Sequence, residues 1–474
     1  METKETPHID SLARNGLRLT DFHVGASVCT PSRAALLTGR LGLRTGVVRN
    51  FDVKAEFGLP RNETTIAEML KAVNYSTGMI GKWHLGTNGR CLPTYRGFDF
   101  YYGLPYSNDM GCTDNPGYDW PMCSRCPTAT GFLSRDEGLP IGDCDTGSND
   151  SVPLYKDTRI IQQPVDLATL TNQYVKLAVE FINNQSSRPF FLYVAFAHTH
   201  VPLSHDIKYT NASERKTVFA DTLLELDASV GAIVQAVKDN GQEGNTLIWF
   251  TSDNGPWESK CQYHGLVGPY KGLWEKKTTG GSSAKQTTWE GGHRVPGIVY
   301  WPGVIAPRVS NALASTLDVL PTIANILKVP LPKNRLFDGI DISHVLFNGS
   351  DSGHSILFHP NDASGIAGAI DTIRFGDYKV MYQTGGSAAC NSIAPPPVRH
   401  DPPLMFNLRD DPGESKPLNV SIEPQVKILQ QVLHHLHYLH ESIKNDNISV
   451  TSYSQDDRFR PCCNIHHVVC RCEN

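Results

Sequence analysis

The sequence predicts an α/β protein with a large mixed, mostly parallel sheet flanked by helices, followed by a smaller α+β region. Over about the first 350 residues, apolar runs of strand length alternate with amphipathic stretches of helical length, as in folds with parallel sheets. From about Ile366 this alternation gives way to closely spaced strand-like runs, one long helical stretch and a cysteine-rich tail. We therefore expect an α/β domain over residues 1–364, and an antiparallel sheet with a helix over residues 365–474.

The spacing of the apolar residues locates the individual elements. Uninterrupted apolar runs, which are typical of buried strands, lie at 76–79, 190–197, 246–251 and 297–301. Amphipathic stretches predict helices at 31–38, 65–73, 170–183 and 218–240. In the second region the pattern predicts a hairpin around Gly376 and Asp377, with strands at 369–375 and 378–384, a further strand at 404–408 and a helix at 423–445.

Composition and charge exclude two classes of protein. Hydrophobic residues make up 40% and charged residues 19% of the 474 residues, which is ordinary for a folded globular chain. The formal net charge of -5 provides no basic footprint for nucleic acid. The longest apolar run, 190–197, is far shorter than the ~20 residues that a membrane-spanning helix needs. We expect neither a nucleic-acid partner nor a membrane span.

Cysteines and glycosylation motifs indicate the compartment. Twelve cysteines are many for a cytosolic protein of this size. Eight Asn-x-Ser/Thr motifs accompany them, at Asn62, Asn74, Asn149, Asn184, Asn211, Asn348, Asn419 and Asn447. Together these features favour passage through the secretory pathway. The first six residues, in contrast, are polar or charged and contain no apolar signal-peptide core.

The stretch from Cys29 to Arg40, Cys-Thr-Pro-Ser-Arg-Ala-Ala-Leu-Leu-Thr-Gly-Arg, carries the chemistry. Pro31 favours the first turn of a helix and Gly39 its end, so Cys29 is expected at a helix N-terminus, where free N–H groups suit an anion. Arg33 follows four residues later and shares the helical face of Cys29. Taken alone, these residues also fit a buried cysteine at the start of an ordinary helix.

This stretch resembles the signature of the sulfatase family, in which Cys-x-Pro-Ser-Arg is followed by Leu-Thr-Gly-Arg. The resemblance implies an alkaline-phosphatase-like fold and a hydrolase that acts on aryl sulfates or sulfated carbohydrates. It also implies that the formylglycine-generating enzyme converts Cys29 to formylglycine. In its hydrated form this aldehyde would use one hydroxyl to attack sulfur and the other to expel sulfate.

Further blocks match the family in order. Gly-Lys-Trp-His at 81–84 contains Lys82 and His84, which point to one side of an extended segment. The apolar run 190–197 leads into His198 and His200 at the carboxyl end of a strand, where active sites of α/β sheets collect. The resemblance assigns sulfate binding to His200 and a structural role to His198. Without it, a surface lysine and packed histidines would be the simpler interpretation.

Two loops complete the resemblance. Lys285, in Lys-Gln-Thr-Thr-Trp-Glu-Gly-Gly, is expected to contact the substrate sulfate together with Ser107, although alone this block would be an ordinary loop. The segment 252–255, Ser-Asp-Asn-Gly, follows an apolar run. Here the family places the calcium ligands Asp253 and Asn254, which act with the residue at position 29. Without the resemblance, Asp-Asn-Gly is also common turn chemistry.

The resemblance also implies the role of each residue. Arg33 and Lys82 would stabilise the hydrated aldehyde, and His84 would be the base that completes the cycle. His200 and Lys285 would hold sulfate oxygens, and one of them would protonate the leaving alcohol. Calcium would offset the anionic charge as a Lewis acid.

One part of the family pattern has no counterpart in the sequence. The family's first strand ends in an Asp-Asp pair that supplies two calcium ligands, and residues 6–12 correspond to sequence that lies after this pair. Asp10 falls in the following helix and matches neither ligand. We therefore expect a calcium site short of two ligands, a sheet short of one strand and no signal peptide, as in an incomplete gene model or a truncated isoform.

The resemblance further implies a pairing of the cysteines. The expected bonds are 112–144, 123–126, 261–390, 462–470 and 463–472, which leaves Cys91 free in addition to Cys29. An alternative for the tail is a zinc site that combines its cysteines with His466 and His467.

The sequence leaves three functions open. The first is an active calcium-dependent sulfatase of the lysosome or secretory pathway, which the resemblance directs to heparan sulfate, at the 3-O-sulfate of glucosamine. The second is a phosphohydrolase on the related alkaline-phosphatase-like fold. Cys29 argues against it, because that chemistry uses a serine or threonine nucleophile and usually more metal ligands. The third is a catalytically impaired, truncated chain that binds sulfated glycans without turnover.

Overall fold

The computed structural model describes residues 5–120, 125–126, 150–185, 188–467 and 469–472. Its helices are α1 (Pro7–Asn15), α2 (Cys29–Thr38), α3 (Gly42–Thr45), α4 (Ile66–Lys71), α5 (Leu167–Asn183), α6 (Val218–Asp239), α7 (Leu273–Thr278), α8 (Glu290–His293), α9 (Val319–Leu327), α10 (Ser343–Phe347) and α11 (Gln425–Lys444). Its strands are β1 (Leu17–Leu19), β2 (Phe22–His23), β3 (Ser76–Gly81), β4 (Phe100–Gly103), β5 (Leu154–Lys156), β6 (Arg159–Gln162), β7 (Phe190–Ala195), β8 (Ile248–Thr251), β9 (Gly297–Tyr300), β10 (Arg308–Ser310), β11 (Ala314–Ser315), β12 (Ile356–Pro360), β13 (Ile370–Phe375), β14 (Tyr378–Thr384) and β15 (Val398–Asn407).

The first sheet has the strand order β6-β5-β4-β3-β7. Its core is parallel, because β3 pairs in parallel with both β4 and β7, whereas β5 and β6 add an antiparallel edge. All six residues of β3 are buried, as expected for a parallel strand that is covered on both faces. The sequence prediction of mixed pairing is therefore confirmed for this sheet, in which two of the four strand pairings are parallel.

The second sheet, with the order β10-β1-β9-β8, is more mixed. Strand β1 pairs in parallel with β10 and antiparallel with β9, and β9 in turn pairs antiparallel with β8. Helices α1 and α6 cover one face, where Ile9 and Leu12 pack with Val230, Ile298 and Tyr300. The same strands supply Leu17 and Val299 to a second apolar cluster. The second sheet is therefore covered by helices and packs against an apolar core.

Strands β7 and β8 each end a sheet. Among the described residues, no strand pairs with β7 on the side away from β3, nor with β8 on the side away from β9. Most of their side chains are only half-buried, although both strands are apolar. Side chains from both, including Tyr193 and Trp249, nevertheless contact the same hydrophobic cluster. The two sheets therefore present a pair of apolar edges to one region of the core.

The C-terminal region contains the predicted hairpin and long helix. Strands β12, β13, β14 and β15 form one antiparallel sheet, with the hairpin turning at Gly376 and Asp377. Helix α11 packs Val432 and Leu439 against Ile373 and Met405 of this sheet. Strand β12 belongs to the same sheet although it precedes residue 365, and the boundary at 364/365 stays a prediction.

Four disulfide bonds lie within the described residues, and one differs from the predicted set. Bonds 261–390, 462–470 and 463–472 are confirmed, and Cys91 is free. The prediction of bonds 112–144 and 123–126 is wrong, because Cys112 pairs with Cys126. A short bridge between Thr113 and Arg125 brings these two cysteines together. Cys123 and Cys144 lie outside the described residues.

The tail cysteines are consumed by the bonds 462–470 and 463–472, which excludes them as thiolate ligands of zinc. None of the helices within the described ranges combines the length and apolar character that crossing a bilayer requires.

Candidate active site

Helix α2 begins at Cys29, two residues earlier than the sequence predicted. Gly39 ends it in the left-handed conformation, with φ of 69°, and its N–H donates to the carbonyl of Ala35 at 2.8 Å. The Thr30 N–H donates to the Asn50 side chain at 2.9 Å, which fixes the first turn. Cys29 is 1% exposed and lies at the helix end that carries free N–H groups and a positive partial charge.

Lys82 and His84 follow directly from the carboxyl end of β3. Gly81 allows this path, because a Cβ at that position would lie 1.9 Å from the carbonyl oxygen of Ala195 on β7. Lys82 and His84 are both buried, whereas Trp83 between them packs into the hydrophobic core. The His84 carbonyl accepts a hydrogen bond from Thr30 Oγ1 at 2.8 Å, which ties this segment to the start of α2.

Three further predicted residues converge on the same point. Lys82 Nζ donates to Ser107 Oγ at 3.1 Å, and Ser107 Oγ lies 3.4 Å from His200 Nδ1. Lys285 Nζ lies 2.9 Å from His200 Nε2. Because His200 Nδ1 donates to the Val201 carbonyl at 2.7 Å, its Nε2 is left as the acceptor for Lys285. Lys285 therefore donates a hydrogen bond to His200 within the site.

The electrostatics of the site favour negative charge at residue 29. Burial alone would raise the pKa of the Cys29 thiol, but the positive charges of Lys285 and Lys82, together with the neighbouring His200 and His84, outweigh it and hold the pKa well below its usual value. Burial also lowers the pKa of His84 to about 4, so its imidazole is neutral above that pH. Burial is likewise the main reason that the pKa of Lys82 is lowered.

The charge of Lys285 is maintained by its neighbours. Its burial works against the ammonium form, but Cys29, Asp109 and Asp253 outweigh burial and raise the pKa of Lys285. Asp109 is 3.8 Å from His200 Nδ1, and His200, Lys285 and Lys82 lower its pKa against the effect of burial. Sequence reasoning missed Asp109 as a site residue. A usable signal was its place in the polar run that follows the buried Tyr106.

Arg33 and Asp253 form a buried ion pair beside residue 29. The Arg33 guanidinium contacts Asp253 Oδ2 through Nε at 2.9 Å and Nη2 at 2.8 Å, and donates to the Lys82 carbonyl at 2.5 Å. Asn254 Oδ1 is buried and has no hydrogen-bond partner among the described residues. An orphaned buried oxygen next to a carboxylate fits a hard cation such as Ca²⁺.

The described residues nevertheless fit only part of a calcium site. Asp253, Asn254 and the residue at position 29 supply fewer ligands than the roughly six to eight oxygens that Ca²⁺ takes. One Asp253 oxygen is also engaged by Arg33. These side chains do not by themselves complete the coordination that the resemblance implies.

These groups surround a cavity of about 330 Å³ that opens onto Cys29. Its floor is formed by Cys29, His84, Ser107, His200 and Lys285, so most predicted site residues share one cavity. Trp257, which the sequence did not single out, lies in its wall. The ring of Trp257 is 4.5 Å from Lys285 Nζ and 4.6 Å from Lys260 Nζ. Only its position shortly after the 252–255 loop pointed to it.

Charged side chains surround residue 29, and Lys285 and Asp109 among them also line the cavity. We call Arg33, Lys82, Lys285, Asp109 and Asp253 the cation-rich cluster, in which three cations face two carboxylates. A third carboxyl group, Asp362, lies near Lys285, and burial raises its pKa to about 7, so below that pH it adds no full negative charge. The surplus positive charge, together with the start of α2, provides a site for an external anion of about sulfate size.

A second buried cluster lies at the junction with the C-terminal sheet. We call it the paired cluster, and its members are Asp21, Glu290, Glu414, Arg294, Arg374 and Lys379. His23, Glu290 and His359 bring potential metal ligands within 4.8 Å of one another. Glu290 is already bound by Lys379 at 3.0 Å and Arg374 at 3.3 Å, so these contacts satisfy its charge within the protein.

Comparison with known proteins gave consistent matches. The family model for Sulfatase matches residues 1–329, and that for the C-terminal region of aryl-sulfatase matches residues 352–472. Arylsulfatase G of Rattus norvegicus is 49% identical to this chain, over 100% of this chain and 89% of the rat protein. Arylsulfatase A of Bos taurus is 37% identical, over 97% of this chain and 88% of the bovine protein. The crystal structure of the PsFucS1 sulfatase from Pseudoalteromonas sp. is similar with a TM-score of 0.75 and 29% identity, covering 94% of this chain and 86% of that chain.

Proposed function

Because this chain belongs to the sulfatase family, we propose that it hydrolyses sulfate esters through a formylglycine made from Cys29. Membership in the family and the likeness to arylsulfatase G make it a sulfuric ester hydrolase with the alkaline-phosphatase-like fold. The observation that carries the finer proposal is the convergence of Lys82, Lys285, His84 and His200 on the buried side chain of Cys29. The phosphohydrolase alternative is therefore set aside.

Formylglycine, when present, supplies a hydrated aldehyde as the nucleophile, and the donors around position 29 fit such a group. Arg33 belongs to α2 and Lys82 directly follows β3, and their positive charges offset negative charge at residue 29. His84 is neutral above about pH 4, so it is able to take up a proton there. Its buried Nδ1 has no hydrogen-bond partner within the described part of the chain.

His200 and Lys285 act on the substrate side. Their 2.9 Å contact places an ammonium group and an imidazole nitrogen together, so the pair is able to hold sulfate oxygens and pass a proton to the leaving alcohol. Ser107 connects this pair to Lys82 and fixes the orientation of His200. Removal of water from this buried site strengthens each of these interactions with the sulfate.

We also propose that Asp253 and Asn254 are ligands of a calcium ion. The buried Asn254 Oδ1 without a partner supports it, and the ligand set needs oxygens beyond those two residues and position 29. We derive no reaction step through the metal. Its Lewis acidity would be an addition to the cations that the chain already supplies.

For the substrate we propose a sulfated glycosaminoglycan, with heparan sulfate and its glucosamine 3-O-sulfate as the specific candidate. The support is the 49% identity with arylsulfatase G, together with an open cavity of about 330 Å³ above residue 29. For the compartment we propose the lysosome or secretory pathway. Four disulfide bonds support it. The asparagines of all seven described glycosylation motifs are also exposed, at Asn62, Asn74, Asn184, Asn211, Asn348, Asn419 and Asn447.

A catalytically impaired sulfatase that binds glycans is the second candidate. Two observations favour it, namely the incomplete set of calcium ligands at Asp253 and Asn254, and the apolar edges of β7 and β8 that no described strand covers. Both features would lower activity or stability without removing the anion site.

The deciding experiment is hydrolysis of an aryl sulfate by the chain secreted behind a foreign signal peptide. The formylglycine-generating enzyme is co-expressed, and rates are measured with added calcium and with a chelator. Cys29→Ala is expected to lose turnover, whereas Cys91→Ala, which removes the other cysteine that is free among the described residues, is the matched control and keeps it. Mass spectrometry of the peptide that contains residue 29 reports the conversion to formylglycine directly.

Each result separates the two candidates. Turnover that depends on Cys29 supports an active sulfatase, and a loss with chelator supports the metal at Asp253 and Asn254. A converted residue 29 without turnover, together with retained binding of a heparan sulfate oligosaccharide, would support the impaired enzyme. Faster release of a 3-O-sulfate than of a 6-O-sulfate from glucosamine tests the proposed substrate.

A further inference from the structure

The cavity above Cys29 extends beyond the groups that face the sulfate. Its outer wall includes Arg49, Asn50, Asp52, Tyr453 and Gln455, none of which the proposed chemistry uses. These residues come from two distant parts of the sequence, the segment that follows α3 and the segment that follows α11. A wall of this kind contacts the part of a substrate that lies outside the reacting ester.

The two segments are joined by hydrogen bonds. Tyr453 Oη accepts from the backbone N–H groups of Val48 at 2.7 Å and Arg49 at 3.1 Å. Glu56 N–H donates to the Ser454 carbonyl at 3.1 Å, and Ala55 forms a bridge with Gln455. The backbone that carries Arg49 is therefore fixed to the segment that carries Tyr453.

The side chain of Arg49 is held as well. Its guanidinium lies 4.4 Å from the centre of the Tyr453 ring, and the ring of the buried Phe51 stacks on Tyr453 at 5.1 Å. Stacking occupies the plane of the guanidinium and leaves its N–H edges free to donate. Cation–π stacking thus orders an otherwise flexible arginine before any ligand binds.

Arg49 carries a positive charge that the protein does not neutralise. Arg49 is exposed, and within the residues that the structure describes it forms no ion pair with a carboxylate, so its charge is available to a ligand. The carboxylate of Asp52 lies in the same wall, as do the amides of Asn50 and Gln455. These groups provide acceptors and donors for sugar hydroxyls around a single fixed cation.

We propose that Arg49, oriented by Tyr453, forms a subsite for a second anionic group of the substrate, next to the sulfate ester that is hydrolysed. The group is a sulfate or a carboxylate on the same or the adjoining sugar, because each presents at least two oxygens that accept hydrogen bonds from the paired N–H groups of a guanidinium. Tyr453 is a positioning residue that acts through Arg49. This proposal rests on the proposed function, since it assumes that the cavity receives a sulfated glycan.

The test compares substrates that differ by one charge. A glucosamine monosulfate is compared with the same unit carrying a second sulfate, and with the same unit linked to a uronate, so that the two sources of charge are separated. For the wild-type protein kcat/KM is expected to be higher on at least one doubly charged substrate. In Arg49→Gln this preference is expected to fall by roughly 10- to 100-fold, the value of a charged hydrogen-bonded contact.

The loss should lie in KM rather than kcat, because the second anion is bound equally in the ground state and the transition state. Tyr453→Leu removes the stacking and should lose part of the preference, whereas Arg49→Lys, which keeps the charge without the planar fork, should recover only part of it. Added salt should weaken the preference of the wild-type protein. Arg61→Gln, an exposed arginine outside the cavity, is the matched control and should keep it.

A binding measurement tests the proposed subsite independently of turnover. In Cys29→Ala protein, calorimetry with a disulfated heparin disaccharide should show roughly 10- to 100-fold weaker binding when Arg49→Gln is added. If binding and substrate preference are the same with and without Arg49, the subsite is wrong and the proposed function stands. If the wild-type protein cleaves no sulfate ester but Arg49 governs binding, the subsite stands and the proposed function is wrong.

Discussion

The two buried charge clusters of this protein differ in their balance. In the paired cluster three carboxylates, Asp21, Glu290 and Glu414, face Arg294, Arg374 and Lys379. In the cation-rich cluster the three cations Arg33, Lys82 and Lys285 face Asp109 and Asp253, and the pKa of the nearby Asp362 is raised to about 7 by burial.

The balance affects the electrostatics of each cluster. Burial alone would raise the pKa of Glu290, but Lys379, His23 and Arg374 hold it well below its usual value, so the charge is satisfied within the fold. In the cation-rich cluster Lys82 is buried beside Arg33 and Lys285, and its pKa is lowered rather than raised. Buried like charges are costly, and a site that keeps them is built for a ligand of opposite charge.

Breaking the paired cluster should give the largest change in stability. Lys379→Met removes the cation that contacts Glu290 at 3.0 Å and Glu414 at 2.9 Å, leaving two fully buried carboxylates without their main partner. The expected loss is about 3–5 kcal/mol in the free energy of unfolding, measured by denaturant titration. Lys277→Met, an exposed lysine in the same region, should change it by less than about 0.5 kcal/mol. Equal effects of the two substitutions would contradict the comparison.

The matching change in the cation-rich cluster should act more on activity than on stability. Lys285→Met removes the proposed donor to the substrate and should lower kcat/KM by roughly 10²- to 10³-fold, the usual effect of losing one group that stabilises transition-state charge. Because Cys29, Asp109 and Asp253 raise the pKa of Lys285, and Asp109 loses one of its cations, the free energy of unfolding should also fall, but by less than for Lys379→Met, since His200 and Lys82 still act on Asp109. Parallel measurement of aryl sulfate hydrolysis and denaturant unfolding tests this, and a large loss of stability would show that the cluster is structural.

The buried histidines beside the paired cluster should make stability depend on pH. Burial lowers the pKa of His293 to about 3, below the 6.5 of an exposed histidine, so the unfolded chain binds a proton that the folded chain excludes between these values. Stability should therefore fall as pH decreases from about 6.5 to about 3, by up to about 1.4 kcal/mol per pH unit for each such histidine. Glu414 acts in the opposite direction below pH 7, because burial raises its pKa to about 7.

Comparison of the wild-type protein with His293→Gln separates the contribution of His293 to the pH dependence of stability from those of Glu414 and the other groups. The variant should show a smaller slope of unfolding free energy against pH in this window, whatever its absolute stability. An identical slope in both proteins would mean that His293 keeps its proton in the folded state.

The pH dependence of activity should be set on the acid side by His84, which lies beside the cation-rich cluster. His84 must be neutral to take up a proton, and its pKa of about 4 places the loss of activity on the acid side near that value. The pH profile of kcat/KM for an aryl sulfate is the measurement, restricted to conditions where the fold is intact. An acid limb centred near pH 6.5 would indicate an unperturbed histidine instead.

Local patterns in the sequence predicted much of this protein. Cys29 at a helix N-terminus, Lys82 and His84 after a buried strand, and the hairpin at Gly376 depend on interactions between residues close in the chain, so helix ends, strand periodicity and turn residues are enough to locate them. The family signature then connected Cys29 with Lys285 and His200 across more than a hundred residues, which periodicity alone does not do.

The errors and omissions have a common origin in contacts that are distant in sequence. The pairing of Cys112 with Cys126 depends on the bridge between Thr113 and Arg125, and sequence spacing does not reveal which loop strands meet. Asp109 gains its role only because Lys82, Lys285 and His200 surround it. The role of Tyr453 depends on a segment about four hundred residues away along the chain.

The sequence by itself therefore determined the family and the order of the main elements and predicted a nucleophile position, because each is a property of short-range pattern and residue identity. The tertiary structure decided which charges are balanced, which cysteines pair and which residues line the outer cavity. Coulombic and hydrogen-bond energies depend on distance and burial in three dimensions, and the packing of the two sheets and the C-terminal segment sets both.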